Sequence, residues 1–152
     1  IATKSQGDFG GEWDRQLPFL LLVYLTHASA TPLSGEMVAP RELYAGMDAF
    51  QGHHALGTRD FESTFGRDGS AFERAALRLG GEAVEGGDMA FRLRPLAKLP
   101  VDYLLWVADE EFPARLTILL DRDTARHYPA DACATLVNLL TRRLLMAARD
   151  PS

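Results

Sequence analysis

Two nearly continuous apolar segments in the second half of the chain predict a pair of neighbouring strands. Residues 101–107 and 116–120 are rich in Val, Ile, Leu, Tyr and Trp, and the connection 108–113 separates them. Short runs of such residues between turn-forming residues are typical of strands. Because the apolar positions do not alternate with polar ones, we expect at least one of these strands to be buried on both faces of a sheet.

A second pattern, strict alternation, precedes this pair. Apolar and polar or small residues alternate over 89–93, as in a strand with one face in solvent. The segment 82–85 lies just before it, and the Gly-Gly-Asp sequence of residues 86–88 between them is a hairpin signal. These patterns predict an antiparallel sheet of about four strands over residues 82–121.

Segments with apolar residues at helical spacing lie before and after the predicted strands in the sequence. The most apolar window, Leu17–Leu25, predicts a buried helix over residues 12–28, and residues 131–148 have the clearest amphipathic pattern in the chain. Helices, then strands, then a closing helix indicate an α+β fold in which N-terminal and C-terminal helices pack on the antiparallel sheet. We divide the chain into a loose lead-in over residues 1–11 and a single domain over residues 12–150.

The segment between the first helix and the sheet is less regular. Residues 30–57 are punctuated by proline and glycine, which predicts mostly loop, with one helical turn starting at Pro40. Loops of this length inside a compact domain are often functional. Two short helices follow, over 58–65 and 71–79, with Thr58 and Ser70 as the predicted N-caps.

The composition narrows the classes of function. The chain of 152 residues has a net charge of −5 and a pI near 5.3, and no segment is rich in Lys and Arg. A nucleic-acid surface normally needs a basic stripe, and an anionic membrane repels an acidic surface, so neither partner is expected. One cysteine allows no internal disulfide and fits a reducing cytosol, so we expect a cytoplasmic protein. The apolar window near the N-terminus is too short to span a bilayer.

Two adjacent histidines, His53 and His54, lie in the glycine-containing loop, within the sequence FQGHHALG. Imidazole suits zinc, iron, nickel or cobalt, so both residues are candidate metal ligands and ligand-binding residues. Adjacent histidines do not present two ligands from one helix face, however. The alternative interpretation, which the spacing favours, is one histidine bonded to the backbone and one exposed to solvent.

The connection between the two apolar strands carries Asp109, Glu110 and Glu111, followed by Phe112. A carboxyl group that is desolvated against Phe112 or Trp106 can serve as a general acid. We therefore regard Trp106, Glu110, Glu111 and Phe112 as candidate ligand-binding residues. The alternative, which three adjacent like charges favour, is a solvated turn that discourages edge pairing of the strands.

A third cluster follows the second apolar strand. Asp121, Asp123 and His127 stand at a strand end, where Asp and His side chains often bind metals, and Asp121 is a further candidate ligand-binding residue. Asp123 before Thr124 is also typical of a helix cap, and the other ligands of a calcium loop are missing from the sequence, so we favour the cap. Cys133 lies on the apolar face of the last helix, and we expect it to be a buried, unreactive thiol.

The chain resembles an uncharacterised domain family of anaerobic bacteria and archaea, from about Pro18 onward. The hallmark of that family is a block of the form lPrvPv-x-x-x-LW-x-x-DeEFPa-x-x-x-iLFD. The family's usual Phe before the last Asp is Leu120 in this sequence. The matching positions are Leu99, Pro100, Val101, Leu105, Trp106, Asp109, Glu110, Glu111, Phe112, Pro113, Ala114, Leu119 and Asp121.

The resemblance implies an accessory or binding role, because some relatives look fused to, or encoded beside, iron–sulfur domains of the kind that serve corrinoid-dependent metabolism. An iron–sulfur or corrinoid protein is therefore an expected partner, although this chain has no cysteine motif to hold a cluster itself. The resemblance assigns no reaction and no cofactor.

Three hypotheses follow. The first, which we favour, is a non-catalytic binding or accessory domain in which the loop 52–56 and the turn 109–113 form a partner surface or a pocket for a small molecule. The second is a module that binds a metal, tetrapyrrole or corrinoid through His53 or His54. The third is a hydrolase-like enzyme with Glu110 or Glu111 as its acid/base.

Overall fold

The computed structural model describes residues 8–44 and 56–149. The order of elements confirms the predicted sequence of helices, strands and a closing helix. The helices and strands are α1 (Asp8–His27), β1 (Met37–Val38), α2 (Pro40–Leu43), α3 (Thr58–Phe65), α4 (Gly69–Arg78), β2 (Glu82–Ala83), β3 (Met89–Leu96), β4 (Leu99–Trp106), β5 (Arg115–Asp121) and α5 (Ala130–Arg149), with a 3₁₀ turn at Thr124–Arg126 before α5.

The strands form one antiparallel sheet in the order β1-β5-β4-β3-β2. This confirms the α+β fold with an antiparallel sheet, although the sheet has five strands rather than about four. The additional strand, β1, consists of two residues from the segment predicted to be loop, and it pairs with the end of β5. β4 and β5 form the long central hairpin, with Tyr103 opposite Ile118 and Trp106 opposite Arg115.

One face of the sheet carries the core. Phe61 of α3 stacks on Tyr103 of β4 with ring centroids 5.8 Å apart, and Phe72 of α4 meets Phe91 of β3 edge to face at 5.4 Å. Ten residues of α5 are buried, including Cys133. Cys133 is fully buried, which confirms the expectation of a core cysteine, and burial raises the pKa of its thiol to about 12.

The opposite face of the sheet carries charged and amphipathic side chains, because neighbouring residues of a strand point to opposite faces. On this face Arg92 forms a two-pronged ion pair with the buried carboxylate of Asp102, at N–O distances of 2.6 and 2.8 Å. Trp106 is four residues further along β4 than Asp102, an even spacing, so its side chain lies on the same face. This face of the sheet therefore extends along β4 to Trp106, where the connection to β5 begins.

The prediction that α1 is a buried helix is wrong. The helix exists, from Asp8 rather than residue 12, but among its large apolar side chains Leu20 is 1% exposed whereas Leu22 and Leu25 are 60% and 75% exposed. The helix packs along one side against α5, and among its described side chains only Leu20, Val23 and Tyr24 contribute to the core. No helix within residues 8–44 and 56–149 has the length and apolar character needed to cross a membrane.

The predicted capping residues of the two short helices are wrong by one or two positions. Gly57 rather than Thr58 is the N-cap of α3, and Asp68 rather than Ser70 is the N-cap of α4. The Asp68 carboxylate accepts hydrogen bonds from the backbone N–H groups of Ser70 and Ala71, which an Asp side chain does as well as a Ser side chain.

Candidate functional site

The connection between β4 and β5, residues 107–114, which we call the acidic turn, is closed by its own hydrogen bonds. Asp109 Oδ1 accepts the backbone N–H groups of Glu111 and Phe112 at 2.8 and 2.7 Å. The Asp109 N–H donates to the Phe112 carbonyl oxygen at 3.0 Å. The N–H groups of Phe112 and Glu111 lower the pKa of Asp109, because they stabilise its ionised form. This side chain shapes the turn in the way that Asp does in Asx turns.

The acidic turn is also fixed to the elements on either side of it. The Ala108 N–H donates to the Gly66 carbonyl oxygen at the end of α3, at 2.8 Å. The Val107 N–H donates to Asp88 Oδ2 in the β2–β3 connection, also at 2.8 Å. A methyl group added at Gly66 would overlap Ala114, so only glycine allows this close approach. The start of the turn is therefore held by hydrogen bonds, and its end packs closely against Gly66.

The acidic turn presents an aromatic side chain to solvent. Phe112 is 66% exposed, and Glu110 and Glu111 beside it are exposed as well. At the base of the turn the guanidinium carbon of Arg115 lies 4.3 Å from the centre of the half-buried Trp106 ring, a cation–π contact between directly opposite residues of β4 and β5.

A concavity of about 540 Å³ lies between the turn and the strand ends, and we call it the hairpin groove. Apolar and charged side chains line it together. It is lined by Asp88, Trp106, Val107, Asp109, Phe112, Pro113, Ala114 and Arg115.

The structure brings together two of the predicted ligand-binding residues, Trp106 and Phe112, in the hairpin groove. Glu110 and Glu111 lie on the same turn but in solvent, in keeping with the solvated alternative. Neither carboxyl group is buried, so neither has the desolvated environment that the hypothesis of a general acid requires.

Two groove residues, Asp88 and Arg115, were not singled out by the sequence pattern. The signal for Arg115 was its position directly across the hairpin from Trp106, which becomes visible only once the register of the strands is known. The signal for Asp88 was its place at the end of the Gly-Gly turn, where a carboxylate can reach the backbone of an adjoining strand.

His53 and His54 lie outside the described residues, so the metal site remains a prediction. Within residues 8–44 and 56–149 there is no group of three or more His, Cys, Asp or Glu side chains that could hold a metal ion.

Asp121 lies at the other end of β5, about 20 Å from the acidic turn at the usual rise of a strand. Its buried carboxylate accepts hydrogen bonds from Ser34 N–H and Oγ, both at 3.0 Å, from Gly35 N–H at 2.7 Å and from Asp123 N–H at 2.8 Å. Burial by itself raises the pKa of Asp121, but these N–H donors outweigh it and the pKa is lowered. Asp121 thus fastens the α1–β1 connection to the sheet and is not brought near Trp106 or Phe112.

Close to Asp121, a buried histidine holds the same connection. His127 Nδ1 accepts the Ser29 N–H at 3.1 Å, so the proton of the neutral ring is on Nε2. Burial, and then the positive charge of Lys98, lower the pKa of His127. The neighbouring Asp123 occupies the N-cap position of the 3₁₀ turn, as predicted, but its side chain binds Arg126 instead of a backbone N–H.

Comparisons with known proteins place the chain in a family. Searches among curated proteins and among solved structures found no significant match. A family model matches residues 2–143, which include β2–β5, the acidic turn and most of α5. The chain therefore belongs to the family described as a domain of unknown function, DUF3786.

Proposed function

We propose that this protein is a non-catalytic binding domain that recognises a partner protein through the acidic turn and the hairpin groove. One observation carries the proposal: an exposed aromatic side chain, Phe112, stands on a turn whose backbone is fixed by Asp109. A large apolar side chain that is held in solvent by a rigid turn has no role in the core of the protein. Its place fits contact with another molecule.

The composition of the surface supports this proposal. Aromatic residues and Arg are enriched at the centres of protein interfaces and account for much of the binding energy there. Phe112, Trp106 and Arg115 supply this set within one groove. Because the turn is already ordered by its own hydrogen bonds, binding requires little further loss of conformational entropy.

The charges of the turn define the partner. Glu110 and Glu111 are exposed beside Phe112, so the complementary surface has an apolar pocket with Lys or Arg residues at its rim. Opposite charges at such a rim accelerate association and make it sensitive to salt. An iron–sulfur or corrinoid protein, the partner class expected from the family resemblance, is the first candidate to be tested.

The experiment measures binding of the purified protein to an immobilised corrinoid iron–sulfur protein by biolayer interferometry. We expect Phe112→Ala to weaken binding at least tenfold, as at an interface hot spot. The matched control is Leu77→Ala, because Leu77 is 55% exposed on α4 and lies outside the groove. Glu110→Gln with Glu111→Gln should lower the association rate and its dependence on salt, with little change in the dissociation rate.

A second arm tests the surface without assuming a partner. Peptides selected from a random display library against the wild-type protein should be enriched in Lys or Arg around apolar residues, and should lose binding to Phe112→Ala. Selected peptides that bind Phe112→Ala as tightly as the wild type would contradict the proposal. Binding of the peptides without binding of the corrinoid protein would support the proposed binding surface and exclude that class of partner.

A further inference from the structure

A second surface, far from β4 and β5 in the sequence, also exposes large apolar side chains. The outward side of α1, which we call the α1 ridge, consists of Pro18, Phe19, Leu21, Leu22 and Leu25, all exposed to solvent. Phe19, Leu22 and Leu25 are 64%, 60% and 75% exposed. At the angular spacing of a helix these residues form one continuous stripe opposite the buried Leu20.

An apolar groove adjoins the α1 ridge. It has a volume of about 480 Å³ and runs between α1 and the start of α5, with Phe19, Leu20 and Val23 on one side and Pro129 and Ala132 on the other. Its polar lining residues are Gln16, His27, Asp131 and Thr135. The ridge and the groove therefore lie side by side on the same surface of the protein. A protruding element next to a recess is the arrangement in which a surface can be complementary to itself.

We propose that the α1 ridge is the interface of a homodimer, in which a second copy of this chain packs its own ridge against the first around a two-fold axis near Leu22. In such an isologous interface each copy contributes the same residues, so the two ridges meet at the axis and the groove beside each ridge faces the flank of the other ridge. The antiparallel pair of α1 helices buries both apolar stripes at once.

The local charge of this surface is compatible with a second copy. The net charge of −5 repels a second copy at long range, as it repels an anionic membrane, so two copies can meet only where few like charges face each other. The ridge has no charged side chain, and the turn of α1 before it carries one charge of each sign, on Asp14 and Arg15. The adjoining groove includes one acid, Asp131.

The exposed area agrees with this interface. The four large apolar side chains of the ridge expose on the order of 400 Å², which is the size of an apolar patch that marks an interaction site on a monomer. With the walls of the groove included, two copies would remove about 1,000 Å² from solvent. This is close to the smallest area of a specific interface, so we expect a dimer with a micromolar dissociation constant.

The first test is sedimentation velocity of the full chain from 1 to 300 µM, with the variants Leu22→Asp and Leu25→Asp. We expect the wild type to become dimeric across this range and both variants to stay monomeric. Leu77→Asp is the matched control, since it places the same charge at a leucine of similar exposure on α4, and it should still dimerise. Circular dichroism shows that each variant is folded.

The second test locates the axis. The only cysteine, Cys133, is fully buried, so Leu22→Cys should form an intermolecular disulfide under mild oxidation, whereas Leu77→Cys should not. A wild type that is monomeric at 300 µM, or a dimer unaffected by Leu22→Asp, would overturn the proposal. Sedimentation of the monomer with phosphatidylcholine vesicles, abolished by Leu22→Asp, would also overturn it in favour of a lipid surface. Neither test involves Phe112, so its outcome is separate from that of the proposed function.

Discussion

At the scale of single residues, the side chains with the most consequence for the fold are two buried groups at the end of β5. Asp121 and His127 both hold the connection between α1 and β1, one through Ser34 and Gly35 and the other through Ser29. Gly35 has φ = +79°, a conformation that glycine adopts easily, and its N–H points at the Asp121 carboxylate. The α1–β1 connection is thus ordered by two ionisable groups, and its stability should depend on pH.

Asp121→Asn should reduce the free energy of unfolding by about 2–3 kcal/mol. The carboxylate accepts four hydrogen bonds, three of them from backbone N–H groups, whereas an Asn amide keeps only one oxygen and turns an NH₂ group toward those donors. Chemical denaturation measures the change. Asp123→Asn is the control, because the ion pair of Asp123 with the exposed Arg126 contributes little, and an equal loss in both variants would contradict the role of Asp121.

His127 should make the protein less stable as the pH falls below about 6.5, the ordinary pKa of histidine. Since its pKa is lowered in the folded state, the unfolded chain takes up a proton that the folded protein resists, and stability is lost down to the folded pKa. Asp121 and Asp123 favour the charged ring, but burial, Lys98 and Arg126 oppose it. The measurement is denaturation at pH 7.5, 6.5 and 5.5.

His127→Asn is the matched variant for this pH dependence. The Asn Oδ1 atom is bonded to Cγ, as Nδ1 is, so it can accept the Ser29 N–H in place of Nδ1, and it does not titrate. We expect the variant to lose less stability than the wild type between pH 7.5 and 5.5. Identical pH dependence of the two proteins would assign the effect to other histidines.

At the scale of elements, the sequence was sufficient to predict a helix or strand where the element has one dominant pattern of apolar residues. The hairpin of β4 and β5 and the long helix α5 were predicted almost to the residue, because continuous apolar runs and a clear amphipathic stripe leave no competing interpretation. β1 could not be predicted from two residues, since its extended conformation depends on pairing with β5.

The burial of α1 could not be predicted, for a different reason. Leu17–Leu25 is apolar on nearly every side, so the spacing predicts a helix but does not tell which side faces the core. The tertiary contact with α5 selects Leu20 and leaves Leu22 and Leu25 in solvent. An apolar helix in a sequence is therefore as compatible with an interface as with a core.

The candidate site was predictable in part. The acidic turn could be predicted as a candidate site because three acids before Phe112 and Pro113 are unusual at the end of a core hairpin. The position of Phe112 in solvent, and the role of Asp109 in shaping the turn, depend on backbone geometry that composition does not encode. That His53 and His54 form one surface or pocket with this turn is still a prediction.

Gly66→Ala should displace the acidic turn and destabilise the protein by about 2 kcal/mol. The new methyl group would overlap the Glu62 carbonyl oxygen and Ala114, and neither the helix end nor the turn can move without breaking the Ala108–Gly66 hydrogen bond. Denaturation measures the loss, and a nearby probe of Phe112, such as its NMR ring signals, should report the displacement.

Gly57→Ala is the control for this substitution, because Gly57 is the N-cap of the same helix and, among the described residues, a methyl group there meets only Asn138 Oδ1 at 3.7 Å. It should change stability by less than about 1 kcal/mol. If Gly66→Ala were equally mild, the close approach of α3 to the turn would not determine the position of the turn.

At the scale of the whole molecule, buried tyrosine hydroxyls connect elements that are distant in sequence. Tyr103 in the sheet donates to the Val137 carbonyl oxygen and meets Thr141 of α5 at 3.0 Å. Tyr128 donates to the Leu20 carbonyl oxygen of α1 at 2.9 Å. The first contact lies in the core, whereas the second attaches a helix in which Leu20 is the only fully buried side chain among those described. The two hydroxyls therefore support parts of the fold with different stability.

This difference predicts two distinct results in amide hydrogen exchange. The amides of α1 around residues 20–27 should exchange well before those of the middle of α5, because ten residues of α5 are buried while Leu20 is the most buried side chain described in α1. Tyr128→Phe removes a hydrogen bond of about 1 kcal/mol between the 3₁₀ region and α1, so it should accelerate exchange in α1 about fivefold and leave α5 nearly unchanged.

Tyr103→Phe serves as the matched variant, since it also removes one buried tyrosine hydroxyl but from the contact between the sheet and α5. It should lower the global stability and accelerate exchange in α5 and β4 together. Equal acceleration of α1 and α5 in Tyr128→Phe would mean that α1 unfolds only with the whole domain. In that case α1 would belong to the same cooperative unit as α5, and its attachment through Tyr128 would not be separable from the stability of the core.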